Sequence, residues 1–321
     1  MSSDNAFIVY LAQIQRNFYR IGGPILMVIG AVSCVLNLMV FTRKNLRKTP
    51  CSIYLVAFNA SNFFFIFIII LLATLANGYN INPASYNSSF CRFRTYITFV
   101  LEVLGPSYLI LASVDRVLLT SPNALTRQRS TPRLAYTSII FITVLWALLH
   151  IHALILTNVL QFRPGFSVCA FRNSLYNMIM SYYSLAIKDI FIPLLMLVFG
   201  LWAVKNVRGV THVSAPSILP TVTTAVSRNT GTHRSKDRQM IRILFVDITV
   251  YVGFNLMVAV VVIYQQINQN KVRNQVEIQT VSLLASASVF SNYIPFCIGF
   301  YTNCLASKTF RQEIRNIFLC K

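Results

Sequence analysis

The sequence predicts an all-α membrane protein, a bundle of seven transmembrane helices followed by a short amphipathic eighth helix. Three observations predict it. Of 321 residues 55% are hydrophobic and only 11% charged, against about 25% charged in a soluble domain, so the chain has too few charges to cover a water-facing surface. Seven stretches reach the roughly 20 apolar residues that a helix needs to cross a bilayer core. The charge is lopsided, 28 Lys+Arg against 8 Asp+Glu for a net +20, and in a membrane chain such an excess is a topology signal. A basic excess also suggests nucleic acid, but that needs a soluble basic face, which this composition does not supply; no nucleic-acid partner is expected. The hydrophobicity excludes disorder, and 11 Gly with 11 Pro exclude collagen-like or linker character.

The spans fall at residues 21–41, 52–76, 93–119, 134–157, 176–204, 241–264 and 278–305, in one domain covering 1–321. Each is continuous and rich in Leu, Ile, Val and Phe, without the alternation of a membrane β-strand. The first is not a cleavable signal peptide, because it is long, some 20 residues precede it and the basic stop Arg43-Lys44 follows. The second carries the tripeptide Asn59-Ala60-Ser61, a glycosylation sequon made unusable by its place inside a span. The third lies between Cys91 and Asp115-Arg116, the fourth holds Trp146, the fifth Pro193 and the sixth Asp247. After the seventh, residues 307–319 place Phe310, Ile314 and Ile317 at i, i+4, i+7 on one face, the pattern of an interfacial helix. No internal repeat of the transporter kind is visible.

Segments after spans one, three, five and seven carry nineteen Lys and Arg, the others eight, with Lys188 inside span five. Cationic loops stay cytoplasmic, so the N-terminus is expected outside and the C-terminus inside. The sequon Asn87-Ser88-Ser89 then lies outside, where Asn87 can be glycosylated. Of seven cysteines only Cys91 and Cys169 lie outside, where oxidising conditions allow a disulfide between them; Cys34, Cys51, Cys297, Cys304 and Cys320 fall in spans or on the reducing side.

Cys91 precedes Arg116 by twenty-five residues, and Arg116 follows Asp115 at the end of span three. With Asn37, Trp146, Pro193 and Ser307-Lys308-Thr309-Phe310-Arg311 in order along the chain, this resembles the rhodopsin-like G-protein-coupled receptors over almost the whole length. In that family a Cys opening span three bonds the second outer loop, and an Asp-Arg-Tyr motif closes the span. Here the motif reads Asp115-Arg116-Val117. The departures are specific. The family's span-two Asp, which anchors a sodium site, aligns with Asn62, whose amide coordinates a cation less well. The span-six Phe-x-x-Cys-Trp-x-Pro pattern maps on Tyr251 to Met257 without Trp or Pro, so a proline kink is missing or made differently. The span-seven Asn-Pro-x-x-Tyr maps on Gly299-Phe300-Tyr301-Thr302-Asn303.

The resemblance implies a switch at Asp115, Arg116 and Asp237. Asp237 lies fourteen residues before Tyr251, where the family places an acid at the inner end of helix six. A bidentate Arg116–Asp237 contact would latch helices three and six, and its release would open a groove for a G-protein helix. The competing reading is that Asp237, between Lys236 and Arg238, only offsets local basic charge. Ionisable residues within spans default to functional sites. Glu102, eleven residues and about 16 Å after Cys91, is joined at similar depth by Lys188 and Asp189 as a lining for a charged or peptidic ligand; an internal Glu102–Lys188 salt bridge is the alternative. Amine receptors of the family place an Asp at the position of Thr98, so a peptide is favoured over an amine. Asp247 suits packing or gating. His150 and His152, two residues apart, point to different helix faces, so no metal site is expected.

The polar segment 205–238 reads as a flexible, kinase-accessible loop or a plain linker, and Cys320 is a palmitoylation candidate. The expected function is a multi-pass plasma-membrane receptor, not an enzyme and without a cofactor. Its expected partners are an extracellular ligand, a heterotrimeric G protein, membrane lipid, receptor kinases and arrestin. A seven-span transporter or channel is the alternative, which calls for paired Gly/Pro-broken helices and a file of acids. A membrane-embedded enzyme would need a His/Asp/Glu cluster at one depth, whereas the acids are scattered.

Overall fold

The computed structural model describes the backbone of residues 2–43, 49–121, 123–163, 166–212, 226–268 and 271–319, and their side chains except at 2, 3, 162, 163, 166, 174, 207–212, 226–238 and 318. Among the described residues seven helices are long and apolar enough to cross a membrane: Asp4–Phe41, Pro50–Tyr79, Ser88–Leu119, Pro132–Leu156, Leu175–Asn206, Gln239–Ile267 and Gln275–Ala306. They are spans one to seven below, and the chain is a multi-pass membrane protein whose spans are all helical. Every span read from the sequence lies within one of these helices save at Thr157, which opens a strand. The helices start where short polar side chains replace missing backbone partners. Asn87, Thr131, Asn173, Asn274 and Ser307 each accept a backbone N–H of the first turn.

Packing is inside out relative to a soluble protein. On span four Ile140, Val144, Leu148 and Ile155 are all more than half exposed, and in water so apolar a stripe would be a liability. The buried face of the bundle holds Phe65 stacked on Phe296 at 4.2 Å, with Leu55, Leu109, Met196 and Ile248 around them. Three buried amides cross it. Asn37 Nδ2 donates to Asn59 Oδ1 (2.8 Å) and Asn303 Nδ2 donates to Asn37 Oδ1 (3.3 Å), tying spans one, two and seven. Asn303 is buried, whereas Tyr301, two residues before it, is exposed.

Four features were not legible in advance. Span one extends well beyond residue 21, as helix Ser2–Asn17 and a π-helical turn Phe18–Gly22 ahead of Gly23–Phe41. The extension is held by polar contacts that hydropathy does not register. Gln15 Nε2 donates to Ser286 Oγ (2.7 Å), and Gln279 Nε2 donates to Gln15 Oε1 (3.2 Å). Gly23 allows close approach to span two, since a Cβ there would collide with the Thr74 side chain.

The second feature is an antiparallel hairpin between spans four and five, β1 (Thr157–Arg163) and β2 (Phe166–Phe171), with Val159 opposite Cys169. It is pinned to the start of span three by the Cys91–Cys169 disulfide and by hydrogen bonds from Ser88 Oγ to Asn158 Oδ1 (2.6 Å) and Arg92 Nε to the Thr157 carbonyl (3.2 Å). Third, an eight-residue π-helical stretch, Ser184–Phe191, interrupts span five. Fourth, the segment read as a flexible loop is largely helical, because Ile192–His212 and Val226–Ile267 extend into it; residues 213–225 lie outside the described residues. The last helix, Lys308–Phe318, buries Phe310 against Phe41 and Phe300.

The disulfide closes a separation of 78 residues. Cys91→Ser, Cys169→Ser and the double replacement should each lower unfolding stability by a similar ~2–4 kcal/mol, measured by thermal unfolding of purified protein; a double variant losing twice the single would show that the two thiols act separately.

Candidate functional site

Span three presents a buried ionic cluster at the end opposite the disulfide. Asp115 and Arg116 sit at 4% and 1% exposure, Arg116 being the bulkiest fully buried side chain among the described residues. Both carboxylate oxygens of Asp115 are satisfied: Oδ2 accepts from the Arg116 guanidinium at 2.8 Å, and Oδ1 accepts from Ser130 Oγ at 2.6 Å. Ser130 lies between spans three and four, and nothing in its sequence neighbourhood marks it. The side chain of Asp237, the expected latch partner, lies outside the described residues, as does Cys320. A second tie at this end was also missed. Gln239 Oε1, at the start of span six, accepts from Ser307 Oγ (2.9 Å) and from the backbone N–H of Thr309 (2.8 Å), so it completes the cap of the final helix.

Toward the disulfide end, span three carries Glu102, paired with Lys188 at 2.8 Å. Both side chains keep about a fifth of their exposure. Asp189, the next residue along the π-helical stretch, is 3% exposed, and its Oδ1 has no partner. Its carbonyl accepts from Asn255 Nδ2 of span six at 3.1 Å, which anchors the irregular turn; single π turns recur at functional sites. Glu102 lies within electrostatic reach of His150, Lys188, Tyr251 and Tyr293, so spans four to seven converge on it. Two acids share one base there: Glu102 holds Lys188 in a salt bridge, and Asp189, next to Lys188 in sequence, keeps an unpartnered Oδ1.

Thr98 stands apart. Its Oγ1 donates to the Arg94 carbonyl at 2.7 Å, so the hydroxyl is used by its own helix. His150 and His152 are not on opposed faces as read from helical spacing, because span four breaks at His150 and Ile151 and the rings lie 6.0 Å apart. The hydrogen bonds assign the tautomer of His150. The Trp146 carbonyl can only accept, so Nδ1 (2.9 Å away) carries the proton and Nε2 accepts from Tyr183 Oη at 3.2 Å. Phe99 stacks on His150 from span three, and Phe171 of β2 stacks on Phe99, which brings the hairpin down over this aromatic wall. Asn87 is exposed, while its Oδ1 caps span three by accepting from the Phe90 N–H. Among the described residues no group of three or more His, Cys, Asp or Glu is placed to hold a metal ion.

Removing Lys188 alone strands Glu102 within the bundle. Lys188→Met should therefore cost about 3 kcal/mol, and Glu102→Gln with Lys188→Met should recover most of it. Thermal unfolding in lipid nanodiscs measures both, and a double variant no better than the single would mean that the two side chains do not offset each other. No protein-family model matches the chain, and no curated protein matches its sequence.

Proposed function

We propose that the chain is a plasma-membrane receptor of the rhodopsin-like class, with its N-terminus and hairpin outside and its C-terminus inside. In this reading it converts binding of an extracellular ligand into activation of a heterotrimeric G protein. The observation that carries the reading is one helix, Ser88–Leu119, with the Cys91–Cys169 disulfide at its start and the buried Asp115–Arg116 pair near its end. The basic bias of the segments on the Arg116 side supports that orientation.

The ligand would enter beside the hairpin and meet Glu102, Lys188 and Asp189, which lie together among spans three and five. A paired acid and base with a further acid suits a peptide, which carries several polar groups, better than a monoamine, and Thr98 offers no charge. Binding would shift an equilibrium between inactive and active arrangements. At the inner end, release of an Arg116–Asp237 contact and of the Gln239 tie would let span six move out and admit a G-protein helix. The final helix, with Phe310 buried and Arg311 and Arg315 exposed, suits a membrane-surface position. Palmitoylation at Cys320, glycosylation at Asn87 and docking of kinases and arrestin belong to the same proposal.

The test is expression at the cell surface, a challenge with peptide and amine libraries, and readout through sensors for each Gα class. A peptide-dependent signal abolished in Arg116→Ala at equal surface expression is expected. Ligand-gated ion current or solute uptake in the absence of any G-protein response would replace the receptor reading with a transporter or channel. If Asp237 latches Arg116, Asp237→Ala should raise basal signalling by on the order of fivefold, the equivalent of ~1 kcal/mol; unaltered basal signalling would remove the latch.

A further inference from the structure

Span six carries a carboxyl that the reading above does not use. Asp247 is 7% exposed and faces span seven, and its Oδ2 has no partner. Its Oδ1 lies 3.2 Å from Thr302 Oγ1. The two border a cavity with room for about one water molecule. The rest of the wall is apolar: Phe58 from span two, Leu109 from span three, and Pro295, Phe296 and Ile298 from span seven. The other titratable side chain on the wall is Tyr251, one turn along span six. Span five meets this stretch at Gly200, against Ile248. The nearest charges on span three, Asp115 and Arg116, lie six and seven residues beyond Leu109, bonded to each other and not on the wall.

The hydroxyl of Thr302 has one proton to give. It lies 2.9 Å from the Gly299 carbonyl of its own helix, closer than Asp247. With that proton on Gly299, the contact between Asp247 and Thr302 is closed by a proton on the carboxyl; with it on Asp247 Oδ1, the one hydroxyl is the carboxylate's single donor. An ionised carboxylate in such a wall, with no cationic side chain among the described residues that line it, is costly enough that such groups take up a proton instead. A bound metal cation fits less well, since oxygen-ligated cations gather six or more donors, and this wall offers a carboxyl, a hydroxyl and carbonyls already used by the helix.

We propose that Asp247 is a proton-binding site at the seam between spans six and seven: the carboxyl is neutral while the spans are apposed, donates to Thr302 Oγ1, and releases its proton when the seam opens to water. The inference holds whether or not the chain is a receptor. It has a defined sign. The apposed arrangement binds the proton more tightly than the open one, so acid favours the closed seam and alkali the open one. Asp247→Asn, whose amide can donate to Thr302, reproduces the protonated form at every pH.

Infrared spectroscopy of the purified full chain in nanodiscs tests it directly. At neutral pH a protonated-carboxyl C=O band is expected that is lost in Asp247→Asn and shifts to higher frequency, without loss, in Thr302→Val. Each variant serves if the other fails to fold, and Asp189→Asn identifies any contribution from that second buried acid. Thermal unfolding should show wild-type melting falling as pH rises, relative to a flatter Asp247→Asn profile. A neutral-pH spectrum without the band, or a band indifferent to both variants, overturns the proposal. So does a melting temperature raised by sodium chloride but not choline chloride and made salt-independent by Asp247→Asn, which would make the site a cation site.

Discussion

The constraint on which the rest of this structure depends is that hydrocarbon offers no hydrogen-bond partner, so every polar group in a span must be answered from within the chain. The chain meets it at two ranges. Locally, Thr98, Ser113, Thr120, Thr249 and Thr280 donate to the carbonyl four residues back, which lets small hydroxyls sit in a membrane helix without a tertiary partner. At long range the remaining polar side chains answer one another across helices, as in Asn37 with Asn59 and Asn303, Tyr54 with Ser138, Tyr108 with Thr143 and Trp146 with Ser107. These contacts are few against the apolar surface, and a mismatched one has no water to repair it. They therefore settle which faces of the helices meet, a choice that apolar packing alone leaves open in lipid.

Span three uses this logic twice. Near its start, the disulfide and two side-chain bonds hold the hairpin in place. Toward its other end, Asp115 takes Arg116 and Ser130 as donors, so the guanidinium is carried inside the bundle with its charge offset. Between them lies Glu102, to which four other spans turn a titratable side chain. The same helix thus joins the place where a ligand would be sensed to the place where a response would be made, about 21 Å apart for the fourteen residues from Glu102 to Arg116. A rigid rod is a poor relay unless something packed against it can shift, and the irregular stretch of span five beside Lys188 and Asp189 is such an element.

How far the sequence was legible follows from what each signal measures. Hydropathy reports residence in hydrocarbon, and it located every span. It stopped short on span one because the extension is held through Gln15 and Ser286, which do not score as apolar. Cysteine placement, combined with charge bias, singled out Cys91 and Cys169, which are bonded. The rarity of acids pointed to Glu102 and Lys188 and left open whether they face a ligand or each other; they are paired. Ser130, Asn255 and Gln239 were not legible because each matters through a partner far along the chain or on another helix. Nothing in a single sequence reports the rotation of one helix against the next. The histidines were misread for a related reason: helical spacing was extrapolated through His150, where the helix stops.

The orphaned acceptors show where the constraint is met least well. Among the described residues the buried amide and carboxylate acceptors without partners are spread over four spans: Asn62 Oδ1 on span two, Asp189 Oδ1 on span five, Asp247 Oδ2 and Asn255 Oδ1 on span six, and Asn292 Oδ1 and Asn303 Oδ1 on span seven. Span six is joined to the rest of the bundle, among the described side chains, by four hydrogen bonds: Asn255 to the Asp189 carbonyl, Asp247 with Thr302, and the two at Gln239. Each is worth on the order of 1 kcal/mol net, and its remaining contacts are apolar ones that lipid can replace with little change in free energy. Spans one, two and seven, by contrast, share the buried amide chain, whose members leave no solvated alternative when parted. Parting span six from its neighbours breaks those four bonds and leaves the amide chain of spans one, two and seven intact. A rearrangement that brings water or a donor to span six gains at Asp247 Oδ2 and Asn255 Oδ1 part of what it loses at the four bonds.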